Sequence, residues 1–315
     1  MKCFVTGAAG FVGSTLCEKL LEKGFCVTGM DCFTDYYSME IKKNNLKRCL
    51  EHSNFKLIEK DIIESNMEKL LDHIDFIFHQ AAQAGVRNSW GKDFEIYNRN
   101  NILATQKILE ALKTKKIKKF IYASSSSIYG DVKDLPITEK TLPMPVSPYG
   151  VTKLAAEQLV NSYWRNYDLP SVSLRYFSVF GPRQRPDMAF NKFVKAMLRK
   201  EQINIYGDGN QTRDFTYIED IVNANILAMH YSKNGEIFNV GGGSNITIKK
   251  VIKLLEKISG LKAKVKYLEN QKGDVLHTFA DISKAKKELK FKPVTSIENG
   301  LRKEFEWIKM YLNLG

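Results

Sequence analysis

The chain has 315 residues, 43% of them hydrophobic and 26% charged, with a net charge of +13. That balance describes a water-soluble globular protein of one large or two modest domains, and no apolar run approaches the roughly 18 residues a membrane span needs. The lysines are spread through segments such as LKTKKIKKF and IKKVIKLLEKISG, which read as solvated helix faces rather than a nucleic-acid stripe; basic sites facing phosphates would fit, but the overall charge does not prove them.

The opening segment, MKCFVTGAAGFVGSTLCEKLLEKG, predicts a short strand, a glycine turn and a helix, with no signal peptide ahead of the strand. Gly7, Gly10 and Gly13 stand at G-x-x-G-x-x-G spacing. Gly7 allows the tight turn, Gly10 lets a pyrophosphate approach backbone N–H groups, and Gly13 permits close helix–strand contact. The helix N-terminus then favours the anion. A second strand, FCVTGMD, ends at Asp31, at the separation expected of a carboxylate that binds an adenosine ribose. An acid there favours NAD over NADP.

FKLIEKDI predicts a strand reaching Asp61 and Ile62, whose loop would flank the adenine. IDFIFHQAAQAG is a near-continuous apolar strand ending in the small residues Ala81 and Ala82, as buried parallel strands read. KDFEIYNRNNILATQKILEALK is a long helical pattern, and KKFIYASSSS is the next strand, delivering serines at its C-terminal end. Ligands of open α/β sheets bind at such ends. After a Pro-rich passage comes SPYGVTK. Ser147 suits an N-cap and Pro148 the first turn, so a helix begins here. Tyr149 and Lys153, four apart, share one face of it. A free phenol has a pKa of roughly 10; a nearby ammonium favours the phenolate, which makes Tyr149 a base near neutral pH. Ser125, Ser126 and Ser127 supply hydroxyls to relay a proton or hold a substrate.

PSVSLRYFSVFG predicts a further strand over 171–177. Beyond Gly181 come a polar loop (GPRQRPDMAF), a helix (FVKAMLRK) and a strand (INIYGDG). NQTRDFTYIEDIVNANILAMHY reads as a loop running into a helix, and GEIFNVGGG as one more sheet strand. From Thr247 the pattern is helix, strand, loop and two helices. Alternating strands and helices imply right-handed crossovers. The expected fold is α/β: a Rossmann-type doubly wound parallel sheet over 1–180 plus 214–243, with a smaller α/β lobe over 181–213 plus 244–315. The five cysteines (Cys3, Cys17, Cys26, Cys32, Cys49) make no C-x-x-C pair, so they read as reduced thiols in a cytoplasmic protein. The five histidines show no metal-ligand spacing, and no metal is expected.

Several motifs in order resemble one family: TGAAGFVG, HQAAQAGVR, SSSSIYG, YGVTK, LRYFSVFGPRQRP and DGNQTRDFTYIED. Together they resemble the extended short-chain dehydrogenases/reductases, specifically nucleotide-sugar 4-epimerases. DCFTDYY, AGVRNSW and GPRQRPDMAF most resemble the UDP-glucuronate 4-epimerases among them. The resemblance implies tightly bound NAD that returns unchanged, held by Gly7, Gly10, Phe11, Val12, Asp31, Asp61, Ile62, Ala81, Ala82, Asn100, Tyr149, Lys153 and Tyr176. It implies Tyr149 as the base at the sugar 4-OH, aided by Ser125, with Lys153 on the nicotinamide ribose and lowering the Tyr149 pKa. It implies Arg185 and Arg213 toward the UDP phosphates, Asp274 toward the ribose, and Ala189, Phe190 and Tyr206 near the uracil. Arg87 either faces the sugar or caps local backbone, and Ser178 replaces an Asn of galactose-type relatives. It also implies a homodimer, with helices over 93–113 and 150–167 pairing as a four-helix bundle.

Related dehydratases and decarboxylases resemble acids at positions 126 and 127; both are serine here. Without an acid, 4,6-elimination lacks its proton donor and base, and serines donate hydrogen bonds to a glucuronate carboxylate without repelling it. A 4-epimerase for UDP-glucose or UDP-N-acetylglucosamine stays open, since Thr278 is small where some relatives narrow the C2 pocket. A one-way reductase and a silent NAD-binding scaffold are the other readings.

Overall fold

A computed structural model describes residues 1–312. Its strands are β1 (Lys2–Thr6), β2 (Cys26–Asp31), β3 (Phe55–Glu59), β4 (Phe76–His79), β5 (Lys119–Ser125), β6 (Ser171–Tyr176), β7 (Ser178–Phe180), β8 (Gln202–Tyr206), β9 (Thr212–Tyr217), β10 (Glu236–Val240), β11 (Asn245–Thr247) and β12 (Lys264–Leu268). The helices are α1 (Phe11–Glu22), α2 (Met39–Leu50), α3 (Met67–Leu70), α4 (Phe94–Tyr97), α5 (Ala104–Leu112), α6 (Pro148–Tyr167), α7 (Ala189–Leu198), α8 (Ile218–Met229), α9 (Ile248–Ser259) and α10 (Ile297–Tyr311).

Seven strands form one parallel sheet in the order β10-β6-β5-β4-β1-β2-β3. From β1 the chain winds outward to β3, then returns to β4 and winds the other way. The reversal lies between β1 and β4, and a cleft opens there at the C-terminal strand ends. Every residue of β4 and β5 is buried, because helices cover both faces of the sheet. Leu16, Leu20, Phe78, Val172 and Phe238 belong to one apolar core. Phe4, Ile77, Ile108, Phe120 and Val160 belong to another.

A third core gathers Phe190, Val194, Ile205, Tyr217, Val251, Leu255 and Leu301, where β8 pairs with β12 and β9 lies between β11 and β7. Ala280, Ile282, Ala285, Leu289 and Phe291 pack instead into a core of the large sheet. The C-terminal third therefore contributes to both packing centres.

Several elements differ from the sequence expectation. β3 stops at Glu59, so Asp61 and Ile62 lie in the turn beyond it. The strand expected over 171–177 ends at Tyr176; the Phe177 N–H donates to the Val240 carbonyl, and the chain resumes as β7. The stretch before α8, read as a loop, contains β9, buried from Asp214 to Tyr217. Both of its faces are buried there, so it shows no polar–apolar alternation. The long helix through Phe94–Leu112 passes a π-helical turn at Asn98–Leu103, a feature that often marks functional positions. α6 begins as its sequence dictates, with Ser147 Oγ accepting from the Gly150 N–H at 3.1 Å and Pro148 in the first turn.

Candidate active site

The β1–α1 turn is built for close approach. Gly7 has φ +65°, and a Cβ on it would lie 2.8 Å from the backbone of Ala81 at the end of β4. A Cβ on Gly13 would lie 2.0 Å from the Gly7 carbonyl oxygen. Gly13→Ala therefore forces α1 away from the turn. We expect a loss of about 1–3 kcal/mol or more in stability, with weaker retention of a dinucleotide, read by urea unfolding and by the nucleotide released on denaturation.

α1 has no acidic residue in its first turn, and its Gly10 N-cap supplies no side chain, so its leading N–H groups are available to an anion. Asp31 closes the far side. Its carboxylate accepts from the Ala9 N–H at 3.0 Å and the Phe33 N–H at 2.9 Å. Burial pushes its pKa up, and the Phe33 and Ala9 amides oppose that rise. Glycine cradle, free helix N-terminus and strand-end carboxylate together fit a dinucleotide such as NAD.

All the residues expected to hold the cofactor line one cavity of about 380 Å³. Ser125, Ser126 and Ser127 line it too. Its lining carboxylates are Asp31 and Asp61, both on the cofactor loops, so its catalytic end carries no acid. Tyr176 reaches the cavity, but its hydroxyl is engaged by Asn225 Nδ2 at 2.7 Å.

Tyr149, Lys153 and Glu157 follow one another, a turn apart, along α6. Tyr149 packs edge-on against Tyr97, 6.2 Å between ring centroids. Burial raises its pKa, while the Ser125 side chain and the charge of Arg185 lower it. Lys153 is itself desolvated, which brings its pKa down to about 7 against the pull of Glu157. Its ammonium lies 4.5 Å from the centre of the Tyr122 ring. Neighbouring His79 is held between Thr6 and Thr105 and is pushed down to about 3 by burial and by Lys153, so it stays neutral.

A lysine whose pKa falls to about 7 on folding binds fewer protons folded than unfolded between that pH and its ordinary value. Stability then rises with pH across this window, and below it the cost of the buried charge is present in full. Lys153→Met should stabilise the cofactor-free protein at pH 6 by about 2–4 kcal/mol. The advantage should fade toward pH 10, as urea midpoints at several pH values would read.

A second cavity, of about 720 Å³, joins the first. Tyr36, Gly85, Val86, Ser178, Val179, Arg185 and Met188 line both. Arg87, Ala189, Phe190, Tyr206, Arg213 and Asp274 line the second. Arg87 pairs with Asp274 at 2.7 Å and lies 4.2 Å over the Tyr206 ring. Arg213 donates to the Thr212 and Leu276 carbonyls, and burial lowers its pKa. Phe190 is a wall residue, its ring 4.4 Å from that of Phe215. Thr278 is buried, its hydroxyl accepting from the Asp214 N–H at 3.3 Å, and it lines neither cavity.

Asn101 escaped the sequence reading. Its side-chain oxygen accepts from the Gln83 N–H at 2.7 Å, and its amide donates to the Gln83 carbonyl and to Thr152 Oγ1. It ties the loop after β4 to α6 between Tyr149 and Lys153. The π-helical turn that aims it has no sequence signature.

Comparisons with known proteins agree with this geometry. A sequence model of the NAD dependent epimerase/dehydratase family matches residues 3–241. An uncharacterized UDP-glucose epimerase, YtcB, of Bacillus subtilis (strain 168) is 44% identical over 98% of this chain and 98% of its own. A UDP-glucuronate 4-epimerase of Thermodesulfobacterium geofontis (strain OPF15) is 40% identical over 98% of this chain and 97% of its own. The crystal structure of UDP-glucuronic acid 4-epimerase from Bacillus cereus in complex with UDP-glucuronic acid and NAD superposes with a TM-score of 0.96 at 46% identity, covering 99% of this chain and 100% of that one. The glycine turn, Asp31 and the Tyr149–Lys153 pair all fall within the matched span, and the chain belongs to the NAD dependent epimerase/dehydratase family.

Proposed function

We propose that the protein inverts C4 of UDP-glucuronate to give UDP-galacturonate through a transient 4-keto sugar. One observation carries this reading: Tyr149, Lys153 and three neutral serines line the cavity of the glycine turn and Asp31, which continues past Arg185 into one bearing Arg87 and Arg213. Gly7, Gly10, Phe11 and Val12 would hold the NAD pyrophosphate; Asp31 its adenosine ribose; Asp61, Ile62, Ala81, Ala82 and Asn100 its flanks; Tyr176 and Lys153 the nicotinamide end. The chemistry that bound NAD would supply is reversible hydride acceptance from the sugar carbon.

The chain's own residues do the rest. Tyr149 takes the proton of the sugar 4-OH and later returns it, with Ser125 as its hydrogen-bond partner. Arg185 and Arg213 hold the diphosphate, so the sugar turns about that anchor and presents its other face. Ser125, Ser126 and Ser127 hold the carboxylate of a β-keto acid that tends to lose CO₂, and Ser178 contacts the sugar or phosphate. Arg87 faces the sugar, Asp274 the ribose, and Ala189, Phe190 and Tyr206 enclose the uracil. Residues 1–180 with 214–243 form the cofactor lobe, and 181–213 with 244–315 the nucleotide-sugar lobe, the latter sending residues 280–291 back to the large sheet.

The test is a panel of UDP-glucuronate, UDP-glucose and UDP-N-acetylglucosamine, with C4 configuration followed by NMR and released cofactor identified after denaturation. Inversion of UDP-glucuronate without added or consumed NAD is the expected result. Preference for another sugar would reassign the substrate, and net cofactor consumption would indicate a reductase.

Exposed Phe94, Leu103, Val151 and Tyr167 on the helices over 94–112 and 148–167 support a homodimer through a four-helix bundle. Free cysteines and the lack of any helix among the described residues long and apolar enough to cross a membrane are compatible with a cytoplasmic setting.

A further inference from the structure

Two segments far apart in sequence meet where the two cavities join. Tyr36 lies in the loop between β2 and α2, on the cofactor side. Arg185 and Asp187 lie between β7 and α7, on the nucleotide-sugar side. The Tyr36 hydroxyl donates to Asp187 Oδ2 at 3.2 Å. The same carboxylate receives Arg185 Nε and Nη2, each at 3.0 Å, and the guanidinium stands 5.8 Å from the centre of the Tyr36 ring. Gly85, with φ +108°, faces the same phenol: a Cβ there would come within 2.6 Å of the Tyr36 oxygen.

A carboxylate beside a site for an anion weakens that site electrostatically. Asp187 is best explained by what it does to Arg185. A guanidinium has five N–H donors; Asp187 engages two and fixes the plane, which leaves three with a defined direction. Tyr36 in turn fixes the carboxylate. Arg185 also bears on the Tyr149 phenol, so its placement matters to both cavities.

We propose that Tyr36 is a positioning residue: through Asp187 it fixes Arg185 at the junction of the two cavities and so links the order of the cofactor loop to the grip on the anionic part of the nucleotide sugar. The inference rests on the reading above for the identity of that ligand.

The test uses the NAD-loaded protein, wild type and the variants Tyr36→Phe, Asp187→Asn and the double variant. UDP and UDP-glucuronate are titrated by calorimetry, KM and kcat are measured, and NAD is quantified after denaturation. Tyr36→Phe should weaken UDP-glucuronate binding roughly five- to tenfold with NAD content unchanged. The double variant should lose no more than Asp187→Asn alone, as coupled residues do. Weakened binding of both ligands places Arg185 against phosphate; weakened binding of UDP-glucuronate alone places it against the sugar. An affinity within about twofold of wild type, losses that simply add, or loss of NAD at unchanged sugar affinity would each overturn the link. Binding is read without turnover, so a wild type that binds UDP-glucuronate but does not invert it defeats the epimerase reading while the cycle still decides on Tyr36. A wild type that binds neither ligand defeats both.

Discussion

Tyr149→Phe should lower kcat by at least about a thousandfold, the scale of a positioned acid–base group, while the protein keeps its NAD and its fold. The phenol is half-buried and lines the cavity, with Ser125 and Arg185 as the groups that favour its charged form. Phenylalanine retains the ring that packs on Tyr97 and removes only the oxygen. KM should change far less than kcat if, as proposed, residues of the second cavity grip the nucleotide. A companion measurement tests the Ser125 side chain. That group lowers the Tyr149 pKa, so Ser125→Ala should move the acidic limb of the kcat–pH profile to higher pH. Turnover of Tyr149→Phe within tenfold of wild type would remove Tyr149 from the chemistry.

The largest stability effect should come from Glu157→Leu. Glu157 is fully buried; it accepts Arg175 Nη2 at 2.6 Å, Arg175 Nε at 3.0 Å and Ser124 Oγ at 2.6 Å. Arg175 also donates to Tyr129, whose hydroxyl donates to Asn239. Removing the carboxylate strands a buried guanidinium, at a cost of about 3–5 kcal/mol. Replacing both partners, as Glu157→Leu with Arg175→Met, should recover most of that loss, because no unpaired charge remains. Urea midpoints of the two single variants and the double variant would read the cycle. A single variant no less stable than the double would show that the pair carries no such coupling. The pair pins α6 to β5 and β6 one turn beyond Lys153, so a folded Glu157→Leu protein should also lose kcat.

The glycine turn, Asp31 and the Tyr149–Lys153 spacing were legible because each is local. A turn that only glycine can make, a carboxylate closing a strand and two side chains one helical turn apart are set by short-range geometry. The parallel sheet was legible for a similar reason: apolar strands alternated with helical patterns at a regular interval. β9 was not, since a strand covered on both sides loses its alternation. Arg175 and Glu157 read like any charged residues on a strand and a helix, and nothing nearby marks them as buried. Asn101 needed the π-helical turn, and Tyr36 with Asp187 needed a contact spanning 151 positions.

The amino-acid order by itself thus determined the fold class, the glycine turn and the Tyr149–Lys153 spacing, because backbone conformation and helical pitch act over a few residues. Only the tertiary structure decided the charge environment of that phenol. Burial set the direction of the Tyr149 and Lys153 shifts, the charge of Arg185 opposes the rise at Tyr149, and Asp187 and Tyr36 hydrogen-bond around Arg185. Desolvation and long-range pairing depend on which surfaces meet, and that is settled only when the chain has closed on itself.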